Sequence, residues 1–136
     1  MNPSNRIDVH FPGGKRVHAR FGAFELATDQ PPEFGGEGAA AAPFDLYLAS
    51  LATCAGVYAL GFCQNRGIST EGMRVVQEVE DDPETHLPAR VRLRLLLPDG
   101  FPEKYRAAIQ RSVDGCKVKK SLVNPPTFSV ELESGV

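Results

Sequence analysis

The sequence predicts a single α+β domain whose elements follow the order βββ-α-ββ-α-β. One observation is a stretch from Ala42 to Arg66 with no helix breaker after its first residues, which is typical of one long helix. The other is a set of short segments on both sides of it, bounded by glycine and proline, in which polar and apolar residues alternate as in strands. A length of 136 residues also favours one domain.

The composition is 42% hydrophobic and 24% charged, which is typical of a soluble globular protein. A net charge of −2 provides no basic footprint for nucleic acid or for an anionic membrane. The N-terminus lacks the apolar segment of a signal peptide, and three cysteines, an odd number, are typical of thiols in a reducing compartment. We therefore expect a cytoplasmic protein that binds neither nucleic acid nor membranes.

The N-terminal part of the chain is expected to form three short strands. Arg6–Phe11 and Lys15–Phe21 flank Pro12-Gly13-Gly14, which predicts a hairpin, and Phe24–Thr28 follows as a third strand. A loop rich in proline and glycine at 29–38 then leads to the long helix. This loop has neither a P-loop lysine nor GxGxxG spacing, so we do not expect it to bind phosphate.

Both ends of the long helix carry local features that predict its limits. Pro43 suits the first turn, where a missing N–H costs nothing, and Asp45 is favourable near the positive end of a helix. Gly67 after Arg66 predicts the end. The helix is nearly apolar all round, which favours a buried helix, and it is too diluted by small residues for a membrane span. These are Ala49, Ser50, Ala52, Thr53, Ala55, Gly56, Ala59 and Gly61.

Two longer strands, Met73–Glu80 and Ala89–Leu97, are predicted after the helix. Arginine occupies alternate positions on one face of the second strand. If the strands are antiparallel neighbours, two glutamates of the first meet this row, so we interpret it as an ion-paired solvated face rather than a ligand patch. The arginines are Arg90, Arg92 and Arg94, and the glutamates are Glu78 and Glu80.

The C-terminal part is expected to contain a second helix and a last strand. Residues with helical spacing predict a helix at about Glu103–Asp114, ended by Gly115. A short helix to Leu122 follows, proline breaks the chain at 125–126, and Thr127–Leu132 alternates as a strand.

The three cysteines differ in their predicted surroundings. Cys54 and Cys63 are nine residues apart on one helix, which places them on opposite faces, so they cannot easily pair with each other. Cys116 lies between a helix end and a lysine-rich segment, and both features stabilise a thiolate. On spacing alone, a buried packing residue is still the better interpretation at each position. No pair has CxxC spacing and the histidines are scattered, so we expect no metal site.

The segment PFDLYLASLATCAGVYALGFCQNRGI, preceded by GGEG and followed by LPDGFPEKYRAAIQRSVDGCKVKKSLVNPP, resembles the OsmC/Ohr family of osmotically inducible and organic hydroperoxide resistance proteins. The likeness runs from roughly Ala27 to the end. It implies an intertwined homodimer in which two long central helices pack back to back and the N-terminal strands join the partner's sheet. The domain would comprise N-terminal strands and loop (1–38), the central helix (42–66) and a ββαβ part (72–136).

The resemblance also implies a chemistry. Cys54 matches the peroxidatic cysteine of the family and Cys116 the resolving cysteine, which predicts a thiol-dependent peroxidase of the oxidative stress response that prefers organic hydroperoxides. A sulfenic acid at Cys54 would condense with Cys116 to a disulfide. An external dithiol, a lipoyl protein or a thioredoxin-like protein, would reduce this disulfide. No metal, flavin or haem cofactor is implied.

One position departs from the Ohr pattern. In Ohr proteins a hairpin arginine orients a glutamate and activates the thiolate, and Phe44 stands at the position of that glutamate. Asp45 lies one residue later, about 100° around the helix. Arg16 and Arg20 are both candidates for the activating arginine, and His18 shares their strand face. The departure leaves an alternative open, a non-catalytic module that binds a small acyl or thiol-bearing ligand. We expect an apolar pocket lined by Phe44, Tyr47 and Tyr58.

Overall fold

The computed structural model describes residues 2–135. It divides the chain into two compact units, one ending at Ala49 and the other beginning at Ser50, which are described separately. Strands, a long helix, further strands and short helices follow one another, so the α+β class predicted from the sequence is confirmed.

The first unit contains a three-stranded antiparallel sheet. Its strands are β1 (Asp8–Gly13), β2 (Arg16–Phe21) and β3 (Phe24–Thr28), in the order β1-β2-β3. The turn after β1 contains Gly14 and the turn after β2 contains Gly22, both with positive φ (56° and 57°), which glycine adopts at no steric cost. All three predicted strands are therefore confirmed, although β1 starts two residues later than expected.

The first hairpin turn lies one residue further along the chain than the sequence predicted. It is formed at Gly14 and Lys15 rather than at Pro12-Gly13-Gly14. β1 continues through Pro12 because the pairing of β1 and β2 is irregular between His10 and Gly13, and an irregularity tolerates a residue without an N–H. This shift places His10 opposite His18.

The loop between β3 and the long helix is built around one buried carboxylate. Asp29 is only 1% exposed. Its side chain accepts hydrogen bonds from the backbone N–H groups of Gln30 (2.8 Å), Ala39 (3.1 Å) and Glu37 (3.3 Å). A Cβ at Gly36 would lie 1.9 Å from the Gln30 carbonyl oxygen, so only glycine fits there. Asp29 thus fixes a loop that the composition alone describes only as irregular.

We expect Asp29→Asn to lower the free energy of unfolding and to make this free energy depend less on pH in the acidic range. The N–H donors of Gln30 and Ala39, together with that of Glu37 and the charge of Arg16, hold the pKa of the Asp29 carboxyl below its ordinary value, against the opposing effect of burial. The unfolded chain therefore binds the proton more readily. The stabilising contribution is complete above the unfolded-state pKa, near 3.8, and is lost as the pH falls through the lower folded-state pKa.

Urea unfolding at neutral and acidic pH measures this effect. Asp99→Asn, at an exposed turn, is the matched control and should keep the wild-type profile. Part of the acid sensitivity should survive in Asp29→Asn, because N–H donors of Thr85 and Glu84 also lower the pKa of Asp82. An Asp29→Asn profile that coincides with wild type would show that the loop does not depend on this carboxylate.

Helix α1 (Pro43–Asn65) begins in the first unit and continues into the second. At its start, Asp45 Oδ2 accepts a hydrogen bond from the backbone N–H of Ala42 (3.2 Å), which is one of the two hydrogen bonds of a capping box. At its end, Gly67 has a φ of 65° and the N–H of Ile68 donates to the Cys63 carbonyl (2.9 Å). The predicted limits, 42–66, are therefore confirmed to within one residue at each end.

The second unit contains an antiparallel pair, β4 (Arg74–Asp81) and β5 (Pro88–Leu96). Its polar face carries the arginine row of β5 against the glutamates of β4, as the alternation predicted. Both ion pairs are largely exposed and individually stabilise the fold little. They are Arg94–Glu78 at 2.7 Å and Arg90–Glu80 at 3.4 Å.

Two helices follow the second sheet. A 3₁₀ turn (Glu103–Tyr105) leads into α2 (Arg106–Asp114), and Gly115 and Cys116 separate it from α3 (Lys117–Val123). The predicted helix at about Glu103–Asp114 is confirmed with a tighter first turn, and the short helix after Cys116 ends one residue beyond Leu122.

The core of the second unit forms where α1 meets α2. Ala59, Phe62 and Cys63 of α1 are buried with Ile109 of α2. The expectation that small residues make α1 too dilute for a membrane span is wrong on composition, because the helix is long and apolar enough to cross a membrane. Core helices of soluble proteins pass the same test. Partly buried apolar residues surround this core: Ile68, Met73, Leu95, Leu97, Phe101, Tyr105, Ala108 and Val113.

The strand predicted at Thr127–Leu132 is not formed in the described residues. Positions 125–135 have no regular secondary structure, and Phe128, Val130 and Leu132 are about nine-tenths exposed or more. An alternating segment becomes a strand only when a neighbouring strand pairs with its backbone. Neither sheet among residues 2–135 includes this segment. The observed order therefore lacks the last β of the predicted βββ-α-ββ-α-β.

Candidate thiol site

The three cysteines are free thiols that differ in exposure. Cys63 is fully buried and Cys116 is 2% exposed, whereas Cys54, midway along α1, is only partly buried. Of the thiols in this chain, Cys54 is therefore the one that an external molecule can reach without a rearrangement.

Cys63 is a buried packing residue, the interpretation that the sequence favoured at each cysteine position. It lies in the core with Ala59, Phe62 and Ile109. Burial raises the pKa of the Cys63 thiol, and the nearby Arg66 charge opposes this only in part. Because the thiolate is the nucleophilic form, this cysteine is poorly suited to react with a peroxide.

Cys116 occupies the junction between α2 and α3. Its N–H donates to the Val113 carbonyl (3.2 Å) and its carbonyl accepts from the Lys120 N–H (3.0 Å), so the residue ends one helix and begins the next. The predicted lysine-rich helix does follow it. One lysine, Lys119, forms an ion pair with Asp114.

The candidate activating residues each have a partner within the first unit. Arg16 Nη2 donates to Glu37 Oε2 (3.1 Å), which ties β2 to the loop around Asp29. Arg20 Nε lies 3.7 Å from Glu25 Oε2, and His18 Nδ1 lies 3.5 Å from Glu25 Oε1. The fourth candidate, Asp45, caps α1.

Two of the three predicted pocket residues belong to the first unit and the third belongs to the second. Phe44 and Tyr47 contact each other near the start of α1, with ring centroids 5.3 Å apart. Tyr58 lines an open groove of the second unit together with Phe62, Arg66 and residues of α2.

The second unit also carries an apolar groove of about 350 Å³ that the sequence did not predict. It lies between the apolar face of β5 and α2, and Arg106, Asp114 and Lys119 provide polar groups in its lining. Its apolar lining consists of Val75, Leu93, Leu95, Leu97, Ile109 and Val113.

A further cluster lies on the three-stranded sheet. Glu25 Oε1 is 3.3 Å from His10 Nε2 and 3.5 Å from His18 Nδ1. The ligand atoms of these three residues all lie within 4.8 Å of one another. The histidines are scattered along the sequence, and it is strand pairing that brings His10 and His18 together.

Comparison with known proteins defines the class. A family model described as OsmC-like protein matches residues 36–131, which include parts of both units. The chain therefore belongs to the OsmC-like family, a redox-related family that includes peroxidases. The resemblance inferred from the sequence is thus confirmed. Among curated proteins, none matches this chain.

Three solved structures share the fold. A Psychrobacter arcticus protein, linked in its description to osmotic stress and detoxification response, is 22% identical with a TM-score of 0.73, covering 89% of this chain and 88% of its own. An organic hydroperoxide resistance protein OsmC of Legionella pneumophila is 23% identical with a TM-score of 0.54, covering 86% and 87%. An OsmC-like protein of Mycoplasma pneumoniae is 16% identical with a TM-score of 0.66, covering 88% and 87%.

Proposed function

We propose that this protein is a thiol-dependent peroxidase that reduces hydroperoxides, organic ones preferred, with Cys54 as the peroxidatic cysteine and Cys116 as the resolving one. The observation that supports this most is the exposure of the thiols. Cys54 is accessible, whereas Cys63 and Cys116 are buried. A peroxidatic thiol must meet its substrate, whereas a resolving thiol needs only to meet the oxidised cysteine.

The reaction proceeds in three balanced steps. The Cys54 thiolate attacks one oxygen of ROOH, the O–O bond breaks, and an alkoxide leaves and takes a proton to become ROH; Cys54 becomes a sulfenic acid. The Cys116 thiol then displaces water from this sulfur and forms a disulfide. An external dithiol, a lipoyl or thioredoxin-like protein, reduces the disulfide and becomes oxidised itself. We place this cycle in the cytoplasm, where such reductants keep thiols reduced.

The proposal gives Asp45 no part in activating the thiolate. Its carboxylate is engaged at the start of α1, and Phe44 provides no charge at the position of the Ohr glutamate. Arg16 and Arg20 remain the candidates for orienting the thiolate, with His18 as a third. Of the two arginines, Arg16 is the less exposed (side chain 39% against 63%) and the more firmly held, through Glu37.

Thiol titration after one equivalent of cumene hydroperoxide tests the proposal. The protein is denatured before titration so that buried Cys63 and Cys116 also react. A peroxidase should fall from three thiols per chain to one, because Cys54 and Cys116 are consumed in one disulfide. Three remaining thiols would contradict peroxidase activity.

A second candidate function is a non-catalytic module that binds a small acyl or thiol-bearing ligand. The apolar groove between β5 and α2 favours it, since an acyl chain could lie against Leu93, Leu95 and Val113 with Arg106 near a polar end. In that case peroxide should consume no thiol, and a fatty acyl probe should bind with a saturable change in fluorescence that Val113→Asp abolishes.

We also propose that the protein is a homodimer whose long helices pack back to back. A Cβ at Gly56 or Gly61 would meet nothing within 4 Å among the described residues outside its own helix, and Val57 is 63% exposed. Glycine weakens a helix by about 1 kcal/mol relative to alanine. Within one chain, two glycines that no neighbouring element approaches would therefore only destabilise α1. Close approach of a second helix would explain them, and a partner strand would cover the exposed C-terminal segment.

We expect wild type to have twice the 14.7 kDa chain mass by light scattering, and Gly56→Leu to shift it toward one chain. The leucine fits the single chain but would overpack a helix contact at a cost of roughly 1–3 kcal/mol. Ala107→Leu, which adds similar bulk to an exposed position of α2, is the control and should remain dimeric. A wild-type mass of one chain at micromolar concentration would exclude the dimer.

A further inference from the structure

The hairpins of the first unit hold two imidazoles and a carboxylate together on one face of the sheet. His10 of β1 lies directly opposite His18 of β2, and their rings are 5.5 Å apart in an edge-to-face arrangement. Glu25 of β3 is paired with Arg20, two residues from His18 on the same face. Antiparallel pairing therefore fixes all three side chains on neighbouring strands.

One oxygen of the Glu25 carboxylate faces both histidines. Oε1 lies 3.3 Å from His10 Nε2 and 3.5 Å from His18 Nδ1, while Oε2 is 3.7 Å from Arg20 Nε. Two ligands at 2.0–2.2 Å from a tetrahedral zinc ion are about 3.3–3.6 Å apart. The two contacts of Oε1 match this separation, and Arg20 orients the carboxylate from its other oxygen.

The geometry points to a site for Zn²⁺ or a similar divalent metal ion, bound by His10, His18 and Glu25. Two imidazoles and one carboxylate form a ligand set that zinc accepts in proteins with a fourth position left to water or an exogenous ligand. The side chains of His10, His18 and Glu25 are 37%, 22% and 48% exposed, so an ion can enter. The ligand atoms lie within 4.8 Å of one another, and rotation of the two rings would bring the imidazole nitrogens to bonding distance from one ion. This inference does not rest on the peroxidase proposal, because the site contains no cysteine; the two proposals share His18 and Arg20, which are also candidates for orienting the Cys54 thiolate.

Calorimetric titration of the full chain with Zn²⁺ tests the site. We expect one ion per chain, and a loss of affinity of at least about tenfold in His10→Gln and in His18→Gln, since even residues that only orient metal ligands are worth 10–100-fold. His86→Asn is the matched control: this exposed histidine is in the second unit, has a φ of 60° that asparagine tolerates, and should bind as wild type does.

Co²⁺ absorption identifies the ligands even if a variant folds poorly. Bound at the proposed site in wild type, Co²⁺ should give ligand-field bands without the thiolate-to-cobalt charge-transfer band, because no cysteine takes part. A thiolate band, the absence of saturable binding, or equal affinity in wild type and His18→Gln would each overturn the proposal. Circular dichroism of both histidine variants verifies that a lost affinity reflects a lost ligand.

Discussion

Cys54→Ser should reduce peroxide consumption to the rate of a mixture of peroxide and dithiol without protein. A hydroxyl is far less nucleophilic than a thiolate at neutral pH, and no other thiol of this chain can replace Cys54. Cys116 is 2% exposed, and Cys63 is fully buried with its pKa raised by burial. Following cumene hydroperoxide loss in the presence of an excess of dithiol measures the effect.

Cys63→Ala is the control for this substitution. Alanine is small and apolar, so it suits the core position beside Phe62 and Ile109 better than serine does. The variant should consume peroxide at close to the wild-type rate. If Cys63→Ala removes the activity while its fold is intact, the assignment of the nucleophile to Cys54 is wrong.

The long helix shows what the sequence predicts well. Pro43 in the first turn, Asp45 at the third helical position and Gly67 after the end are local features, and each acts in the structure as expected. Helical phase also predicted that Cys54 and Cys63 lie on opposite faces of α1, and Cys63 is the one buried in the core. Such local features can be predicted from the sequence because they depend only on residues a few positions apart.

Features that depend on pairing between distant residues were harder to predict. A predicted turn at Pro12-Gly13-Gly14 places His10 opposite Arg16, whereas the observed turn at Gly14 and Lys15 places it opposite His18. A displacement of one residue in the turn therefore concealed the cluster with Glu25. The spacing of these residues contains no other indication of it.

Two other differences have the same origin. The alternation at Thr127–Leu132 predicted a strand, but a strand also requires a pairing edge, and the described part of one chain does not provide it there. Asp29 looked like an ordinary loop residue because its donors, up to ten positions away, become neighbours only when the loop closes. The approach of Cys116 to Cys54 is also non-local, and it stays a prediction.

Cys116→Ser is therefore the substitution that tests the pairing of the two cysteines. It should complete one turnover and then stop, because Cys54 can still be oxidised to a sulfenic acid but no thiol resolves it. Intact mass after peroxide treatment distinguishes the products. Wild type should lose about two mass units as one disulfide forms within the chain. Cys116→Ser should gain about 16 or 32 mass units as Cys54 is oxidised to a sulfenic or a sulfinic acid. A disulfide that still forms within the Cys116→Ser chain would show that Cys63 is the resolving thiol and would reject the proposed pair.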